Sequence, residues 1–145
     1  MENYEKSLGH WVKKFYLLSA REMDSLLSPY GLGRTQWYIL HHVNVVGQLP
    51  QRELQSMLDI ESATLTPLVA ALVKKGWLVQ QPSPVDRRAK ALRLTEAGAR
   101  HFRAVPNPIL LGRRKALAGI DAVEIERARK VLERAVRNLE KGGDP

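Results

Sequence analysis

The chain has 145 residues, the length of one average domain, and its 23 lysines and arginines against 15 aspartates and glutamates give a net charge of +8. With 44% hydrophobic and 26% charged residues it is too apolar for a disordered chain and is typical of a folded globular domain. It contains no cysteine, which excludes disulfides, thiol chemistry and cysteine-ligated zinc.

No segment has the features of a membrane anchor or an export signal. The apolar runs fall far short of the roughly 20 residues that span a bilayer. Residues 1–6 lack the charged and then apolar pattern of a secretory signal. We therefore expect a cytoplasmic protein that does not associate with membranes.

The first part of the chain predicts three helices. Apolar residues three and four positions apart predict an amphipathic helix over residues 5–27, which the proline and glycine of residues 28–31 end. A second helix is expected over residues 34–46. After a chain break at residues 47–50, a short third helix is expected over residues 51–58.

The middle of the chain predicts a helix followed by a hairpin. The fourth helix is expected over residues 63–75, with Pro67 in its first turn or just beyond. Short strands are expected at residues 77–79 and 89–94, separated by a turn at residues 82–86. Two short helices followed by an arginine-rich hairpin predict a winged helix-turn-helix.

The last third predicts helices with exposed apolar stripes. Thr95 is a candidate cap for a helix that ends near residues 106–108, where Pro106 and Pro108 interrupt the pattern, and Asp121 is a candidate cap for the last helix. The stripe of the last helix comprises Ile125, Ala128, Val131, Leu132, Ala135, Val136 and Leu139. Such stripes pack on a second copy of the chain, or on each other within one chain.

These elements together predict a mainly α fold with a small β-hairpin wing. We expect a single domain over residues 1–145, with a winged helix-turn-helix DNA-binding core at residues 30–98. Residues 1–28 and 99–145 would form the flanking N- and C-terminal dimerisation helices. The break at residues 106–108 leaves the geometry of the dimer open.

The positive charge is concentrated around the predicted wing. Residues 74–103 contain eight lysines and arginines and only two acidic residues, so this stretch carries +6 of the net charge of +8. A basic surface of this kind favours a polyanionic partner such as nucleic acid. A solvated charged face is the alternative.

Six short segments, in this order and spacing, carry a family resemblance. They are GLGRTQW at 31–37, QREL at 51–54, LTPLV at 65–69, LVKKGWL at 72–78, DRRA at 86–89 and LTEAG at 94–98. With these segments the chain resembles the MarR (multiple antibiotic resistance regulator) family of winged helix-turn-helix transcription factors. The resemblance implies a homodimer that binds a pseudo-palindromic operator in double-stranded DNA, with the fourth helix in the major groove and the wing at the minor groove. It also implies a small anionic or phenolic effector that releases the DNA.

Departures from the family pattern are also visible. Residues 62–68 resemble the branch that senses organic hydroperoxides through a cysteine in the first helix, but this chain has no cysteine, so that chemistry does not carry over. Gly33 stands where the family often has a helix-capping threonine, and Pro50 stands where it often has threonine or serine. Gln80 and Gln81 occupy wing positions that arginine often holds.

The predicted DNA-reading residues lie at the start of the fourth helix, where short polar side chains can reach base edges in a groove about 12 Å wide. They are Ser62, Ala63, Thr64, Thr66 and Pro67. The hydroxyls can bond to base edges, and the methyl groups can meet thymine methyls. Alternatively, Ser62 merely caps the helix and Thr64 faces solvent.

In the wing, the D-x-R spacing predicts that Asp86 and Arg88 lie on the same side of an extended chain. By resemblance, Arg88 enters the minor groove and Asp86 positions it, with Arg87 and Lys90 contacting phosphates. An exposed ion pair is the alternative. At the start of the third helix, Arg52 could bind phosphate or only face water.

An effector cleft is expected where the first and second helices meet. The candidate residues are Trp11, Phe15, Tyr38 and His41, with His10 close by, although Trp11 and Phe15 could be simple core residues. The four histidines form no metal-binding spacing, so we expect neither a metal nor a cofactor. No catalytic set of residues is evident, and we do not expect an enzyme.

The sequence therefore favours a dimeric DNA-binding regulator, a repressor that a small aromatic or anionic effector releases. The alternative is a winged-helix module that binds another protein without reading a DNA sequence. Arginines in the wing together with hydroxyls on the fourth helix favour DNA, because a protein-binding face would show exposed aromatic or leucine side chains there.

Overall fold

The computed structural model describes residues 3–142, and the chain divides into two compact units at the bond between Pro108 and Ile109. The helices of the first unit are α1 (Leu8–Leu27), α2 (Arg34–Val46), α3 (Gln51–Leu58), α4 (Ser62–Lys74) and α5 (Glu96–Ala104). Its strands are β1 (Gln48–Pro50), β2 (Leu78–Pro82) and β3 (Lys90–Leu94). Helices α6 (Pro108–Ala116) and α7 (Ala122–Glu140) follow. The mainly α fold with a β wing is confirmed.

The predicted helices agree closely with the observed ones, apart from the start of α1. Helices α2 and α3 have the predicted bounds. Helix α1 begins at Leu8 rather than at residue 5, because the Ser7 hydroxyl accepts the N–H of His10 and caps the helix there. A short 3-10 turn at Tyr4–Lys6 precedes it.

The wing is part of a three-stranded antiparallel sheet with the strand order β1-β3-β2. We expected a hairpin of two strands and only a chain break at residues 47–50. Gly47 takes a left-handed φ of 88°, so the chain turns and pairs Leu49 with Leu92 across the sheet, where both are buried. Pro50 is tolerated because β1 is an edge strand.

The core of the first unit lies between α2, α4 and the sheet. Helix α2 contributes Trp37 and Leu40, and α4 contributes Leu65 and Leu72, all of them buried. Leu54 of α3 is also fully buried. Because α4 packs this apolar face inward, its opposite face is left to solvent.

Helix α5 begins against the start of β2. The Thr95 hydroxyl accepts the N–H of Gly98 at 2.9 Å, as the sequence predicts for a capping threonine, and donates to the carbonyl of Gly76. The Thr95 N–H also donates to the carbonyl of Trp77 at 3.1 Å. Gly98 lies so close that a Cβ there would be 2.0 Å from this same oxygen. Only glycine therefore fits at position 98.

The second unit has an exposed apolar stripe beside a network of ion pairs. The Asp121 carboxylate accepts the N–H of Val123 at 2.7 Å, which confirms it as the cap of α7. Arg129 pairs with Glu126 and with Glu133, at 2.7 Å in each case. The hydrogen bond from Arg129 is the main reason why the pKa of the Glu126 carboxyl lies below its ordinary value.

Within residues 3–142, no single helix is long and apolar enough to cross a membrane. Helices α3 and α4 reach that apolar length only as a pair, and they are bent by 118° at the break between them. Their apolar side chains Leu54, Leu65 and Leu72 are already buried in the core.

Gly98→Ala is expected to destabilise the fold by more than about 3 kcal/mol, because the new methyl would collide with backbone that cannot move without shifting α5 or β2. Gly9→Ala is the matched control. It lies inside α1 with nothing within 4 Å of its Cβ, and it should stabilise by about 0.5–1 kcal/mol. Urea unfolding followed by circular dichroism measures both, and equal stability of the two variants would contradict the close contact.

Candidate nucleic-acid interface

The N-terminal half of α4 presents small side chains to solvent. Leu65 and Val69 are buried, whereas all five predicted reading residues of this helix are exposed: Ser62, Ala63, Thr64, Thr66 and Pro67. Helix geometry places Ala63 and Pro67, one turn apart, on the side opposite the buried residues. No large side chain on this turn would keep the helix away from a groove.

The hydrogen bonds in the N-terminal half of α4 determine which bonds its hydroxyls can make to DNA. Glu61, not Ser62, occupies the N-cap position and makes no side-chain cap, so the alternative that Ser62 is the cap is wrong. The Thr66 hydroxyl donates to the carbonyl of Ser62 at 2.8 Å and therefore can only accept from a base. Pro67 lies inside the helix at its sixth position, farther in than the first turn.

The wing turn uses its aspartate differently from the prediction. We expected an extended chain in which the carboxylate of Asp86 holds the guanidinium of Arg88. Instead, Asp86 Oδ1 accepts the backbone N–H of Arg88 at 2.9 Å, and the Asp86 carbonyl accepts the N–H of Ala89 at 3.0 Å. A short polar side chain at the start of a turn favours this bond, so Asp86 holds the backbone and leaves the arginine head free.

The base of the wing loop is closed by a buried serine. The Ser83 N–H donates to the carbonyl of Ala89 at 2.8 Å, and the Ser83 hydroxyl accepts the N–H of Val85 at 3.3 Å. Arg87, Arg88 and Lys90 project from this closed loop and are exposed. The loop thus presents three cations on a backbone that its own hydrogen bonds order.

The first turn of α3 is tied to the wing strand β2. Gln80 Nε2 donates to Gln51 Oε1 at 2.5 Å. The next residue, Arg52, is exposed. Gln80 stands at a wing position where the family resemblance leads us to expect arginine. Its side chain instead links β2 to α3.

Two cations of the basic stretch have partners within the protein. Lys75 Nζ donates to the carbonyl of Gly31 and lies 5.0 Å from the centre of the Trp77 ring. Arg100 pairs with Glu96 at 3.3 Å. These two side chains make contacts within the protein. The charge pattern alone does not separate such cations from cations that are available to bind a partner.

The four predicted effector residues do not form one cleft. Tyr38 lines a cavity of about 380 Å³ between α1, α2 and the end of α3, together with Tyr16, Ser19, Ala20, Met23, Arg34, Thr35, Leu58 and Ile60. His41 lines a different cavity of about 380 Å³, beside Trp37 and Phe102. Trp11 and Phe15 are each 55% exposed, so they are not core residues, and they line neither cavity.

The histidines of α2 make contacts with neighbouring aromatic rings. His41 stacks on Trp37 at 5.0 Å. Partial burial, and to a lesser degree the neighbouring His41, lower the pKa of His42 below its ordinary value. Among residues 3–142 there is no group of three or more histidine, aspartate or glutamate side chains that could hold a metal ion.

The first of the two cavities is lined by an arginine, Arg34, that is paired with an aspartate of α1. Gly33 has no side chain with which to cap α2, and Asp24 of α1 accepts the N–H of Arg34 at 3.3 Å in its place. The same carboxylate pairs with the Arg34 guanidinium at 3.5 Å. The half-exposed Arg34 and the phenol of Tyr38 face this cavity, which sequence reasoning missed because the pairing spans ten residues.

Comparison with known proteins agrees with this geometry. Residues 30–89 match the sequence model of the MarR family. The uncharacterised HTH-type transcriptional regulator YwoH of Bacillus subtilis is 29% identical over 105 residues, which cover 72% of this chain and 76% of that protein.

Two solved structures share the fold. E. coli MarR, as a cysteine-to-serine mutant in complex with operator DNA, has a TM-score of 0.81 at 22% identity and covers 92% of this chain and 96% of its own. The PcaV transcriptional regulator of Streptomyces coelicolor has a TM-score of 0.79 at 22% identity, over 94% of this chain and 99% of its own. These relatives are regulators and not enzymes. The segment that matches the MarR family, residues 30–89, lies in the winged helix-turn-helix part of the chain, and both solved structures share that fold.

Proposed function

We propose that this protein is a homodimeric repressor that binds a pseudo-palindromic operator, with α4 in the major groove and the wing at the minor groove. The observation that carries the proposal is the ordered wing with Arg87, Arg88 and Lys90 exposed, together with a first turn of α4 that exposes only small side chains. Because it acts on DNA of the chromosome, we place it in the cytoplasm.

The ten proposed DNA contacts divide by chemistry. Arg52, Arg87 and Lys90 are expected to contact phosphates, which adds affinity without sequence preference. Ser62, Ala63, Thr64, Thr66 and Pro67 meet base edges, and Arg88 enters the minor groove, where a narrow A·T-rich segment attracts arginine. Asp86 orders the turn that carries Arg88.

Dimerisation is proposed from two apolar stripes. Trp11, Phe15 and Leu18 of α1 share one face and are exposed, and Leu132 and Val136 of α7 do the same. Contiguous exposed apolar surface of this kind marks an interface. The ion pairs of Arg129 lie beside the α7 stripe and keep the neighbouring face in water.

An effector is proposed in the cavity beside Arg34. In the free protein, Asp24 of α1 pairs with Arg34 and caps α2. A small aromatic carboxylate would offer the same two oxygens to the guanidinium and place its ring near Tyr38 and Met23. Competition with Asp24 would then change the contact between α1 and α2.

The DNA contacts predict a strong dependence on salt. With roughly 6 to 10 phosphate contacts per dimer, affinity for a duplex from upstream of its own gene should fall by about 10³–10⁵-fold between 50 and 200 mM salt. Arg88→Ala should weaken binding to both operator and scrambled DNA and reduce the dependence of affinity on salt. Ser62→Ala should mainly lower the preference for operator over scrambled DNA, by about 1–3 kcal/mol. Fluorescence anisotropy measures both, with Arg21→Ala on α1 as the charge-matched control. A flat salt titration would indicate the protein-binding alternative.

The hydrogen bond of the wing turn predicts a difference between two variants of Asp86. Asp86→Asn keeps an oxygen acceptor for the Arg88 N–H and removes a negative charge near DNA, so operator affinity should be equal or higher. Asp86→Ala loses the acceptor, and affinity should fall by about 1 kcal/mol because the loop must be ordered on binding. Equal losses in both variants would instead support contact between the carboxylate and the guanidinium.

The apolar stripes predict a dimer that single charges disrupt. Phe15→Glu or Val136→Glu should raise the dimer dissociation constant by about 100-fold or more, because each places an unpaired charge in an apolar interface. Val45→Glu is the control, since Val45 is exposed on α2 and lies outside both stripes. Sedimentation at micromolar protein tests this, and a wild-type mass equal to one chain at every concentration would rule out the dimer.

The cavity predicts binding of aromatic carboxylates. Benzoate or 4-hydroxybenzoate should raise the melting temperature and weaken operator binding, and Arg34→Gln should reduce ligand affinity by at least about tenfold. Arg21→Gln, an exposed arginine of α1 outside the cavity, should bind as the wild type does. Ligand binding that Arg34→Gln leaves unchanged would place the effector elsewhere.

A further inference from the structure

The apex of the wing carries an apolar side chain among cations. Val85 is 95% exposed, more than any other large hydrophobic residue in the part of the chain that the structure describes. Pro84 precedes it, and the exposed Arg87 and Arg88 follow. The family resemblance assigns roles to the charged residues of this loop but none to Val85.

Hydrogen bonds within the loop hold this apex in place. The Val85 N–H donates to the Ser83 hydroxyl, the Arg88 N–H donates to the Asp86 carboxylate, and the Ser83 N–H donates to the Ala89 carbonyl. The side chains at the tip, Pro84 and Val85, are hydrocarbon only. A partner that meets the tip therefore meets a fixed apolar surface, with the exposed Arg87 and Arg88 close by in the chain.

We propose that Val85 determines specificity by packing against the floor of the minor groove, where it favours A·T pairs over G·C pairs. This inference rests on the proposed DNA binding. Charge complementarity selects the partner, since Arg87 beside the tip suits a phosphate and Arg88 suits the negative potential inside the minor groove.

The chemistry of the minor groove gives the direction of the preference. There the base pairs differ chiefly by the 2-amino group of guanine, which projects from the floor. Against an A·T pair the methyl groups of Val85 would meet the adenine C2–H between the adenine N3 and thymine O2 acceptors, where no group projects from the floor. Against a G·C pair they would cover the amino donor and leave it without a hydrogen-bond acceptor.

Base substitution in the DNA isolates this contact. A duplex is selected by the wild-type protein from a random pool, and hydroxyl-radical footprinting locates the pairs under the wing. Those pairs are then made A·T, inosine·cytosine or G·C. Inosine·cytosine has the major-groove face of G·C but lacks the 2-amino group. The wild type should bind the first two alike and the G·C duplex about tenfold more weakly.

Variants of Val85 then assign the preference to this side chain. Val85→Ala should reduce the tenfold difference between inosine·cytosine and G·C to less than about threefold, because the smaller side chain leaves room for the amino group and its water. Val85→Ser should abolish or invert it, since its hydroxyl can accept from the amino group. Val45→Ala, an exposed valine of α2, should keep the wild-type ratio.

Other results would overturn the inference. A wild-type protein that binds inosine·cytosine and G·C equally has no such contact. If the tenfold ratio of affinities for inosine·cytosine and G·C persists in both Val85 variants but disappears in Arg88→Ala, the arginine causes the preference. That result would leave the proposed DNA binding intact. A wild-type protein that selects no duplex from the pool contradicts the proposed function and this inference together.

Discussion

The contact between Gly98 and the carbonyl of Trp77 joins the end of α4, the start of the wing and α5 into one body. A Cβ at position 98 would lie 2.0 Å from that oxygen, which also accepts the N–H of Thr95. The Trp77 ring stacks on His101 of α5 at 3.9 Å, and His101 Nε2 is 2.8 Å from the carbonyl of Tyr30. The direction in which β2 leaves the core, and so the position of the wing, depends on this packing.

Strand β1 and a hydrogen bond between two glutamines attach α3 to the same body. Leu49 of β1 pairs with Leu92 of β3, and β1 leads directly into α3. Gln51 at the start of α3 accepts a hydrogen bond from Gln80 of β2. Helix α3 and the wing are therefore joined through one sheet, and binding need not spend free energy on bringing their proposed DNA contacts into register.

Local signals in the sequence were sufficient for most helix bounds and for the caps at Thr95 and Asp121, but not for the cap of α1 at Ser7 or for contacts between distant residues. Thr95 and Asp121 cap as expected because each capping bond spans two or three residues. Strand β1 was missed because three residues with a proline carry no alternating pattern, and only its partner strand defines it. A cavity does lie where α1 and α2 meet, as predicted, but of the four predicted residues only Tyr38 lines it, and His41 lines a different cavity. The roles of the DNA-contacting residues stay predictions.

The missing capping side chain at Gly33 gives α1 a second role. Helix geometry places the apolar stripe of α1, which includes Phe15, on one side of this helix and Asp24 on the opposite side. There Asp24 accepts the N–H of Arg34 at the N-terminus of α2. Helix α2 in turn packs against α4. Because a close-packed core transmits displacements, we expect a change in how α1 is held, by the proposed partner on the stripe or the proposed anion at Arg34, to reach α4 through α2. A threonine at position 33 would cap α2 locally and remove this dependence on α1.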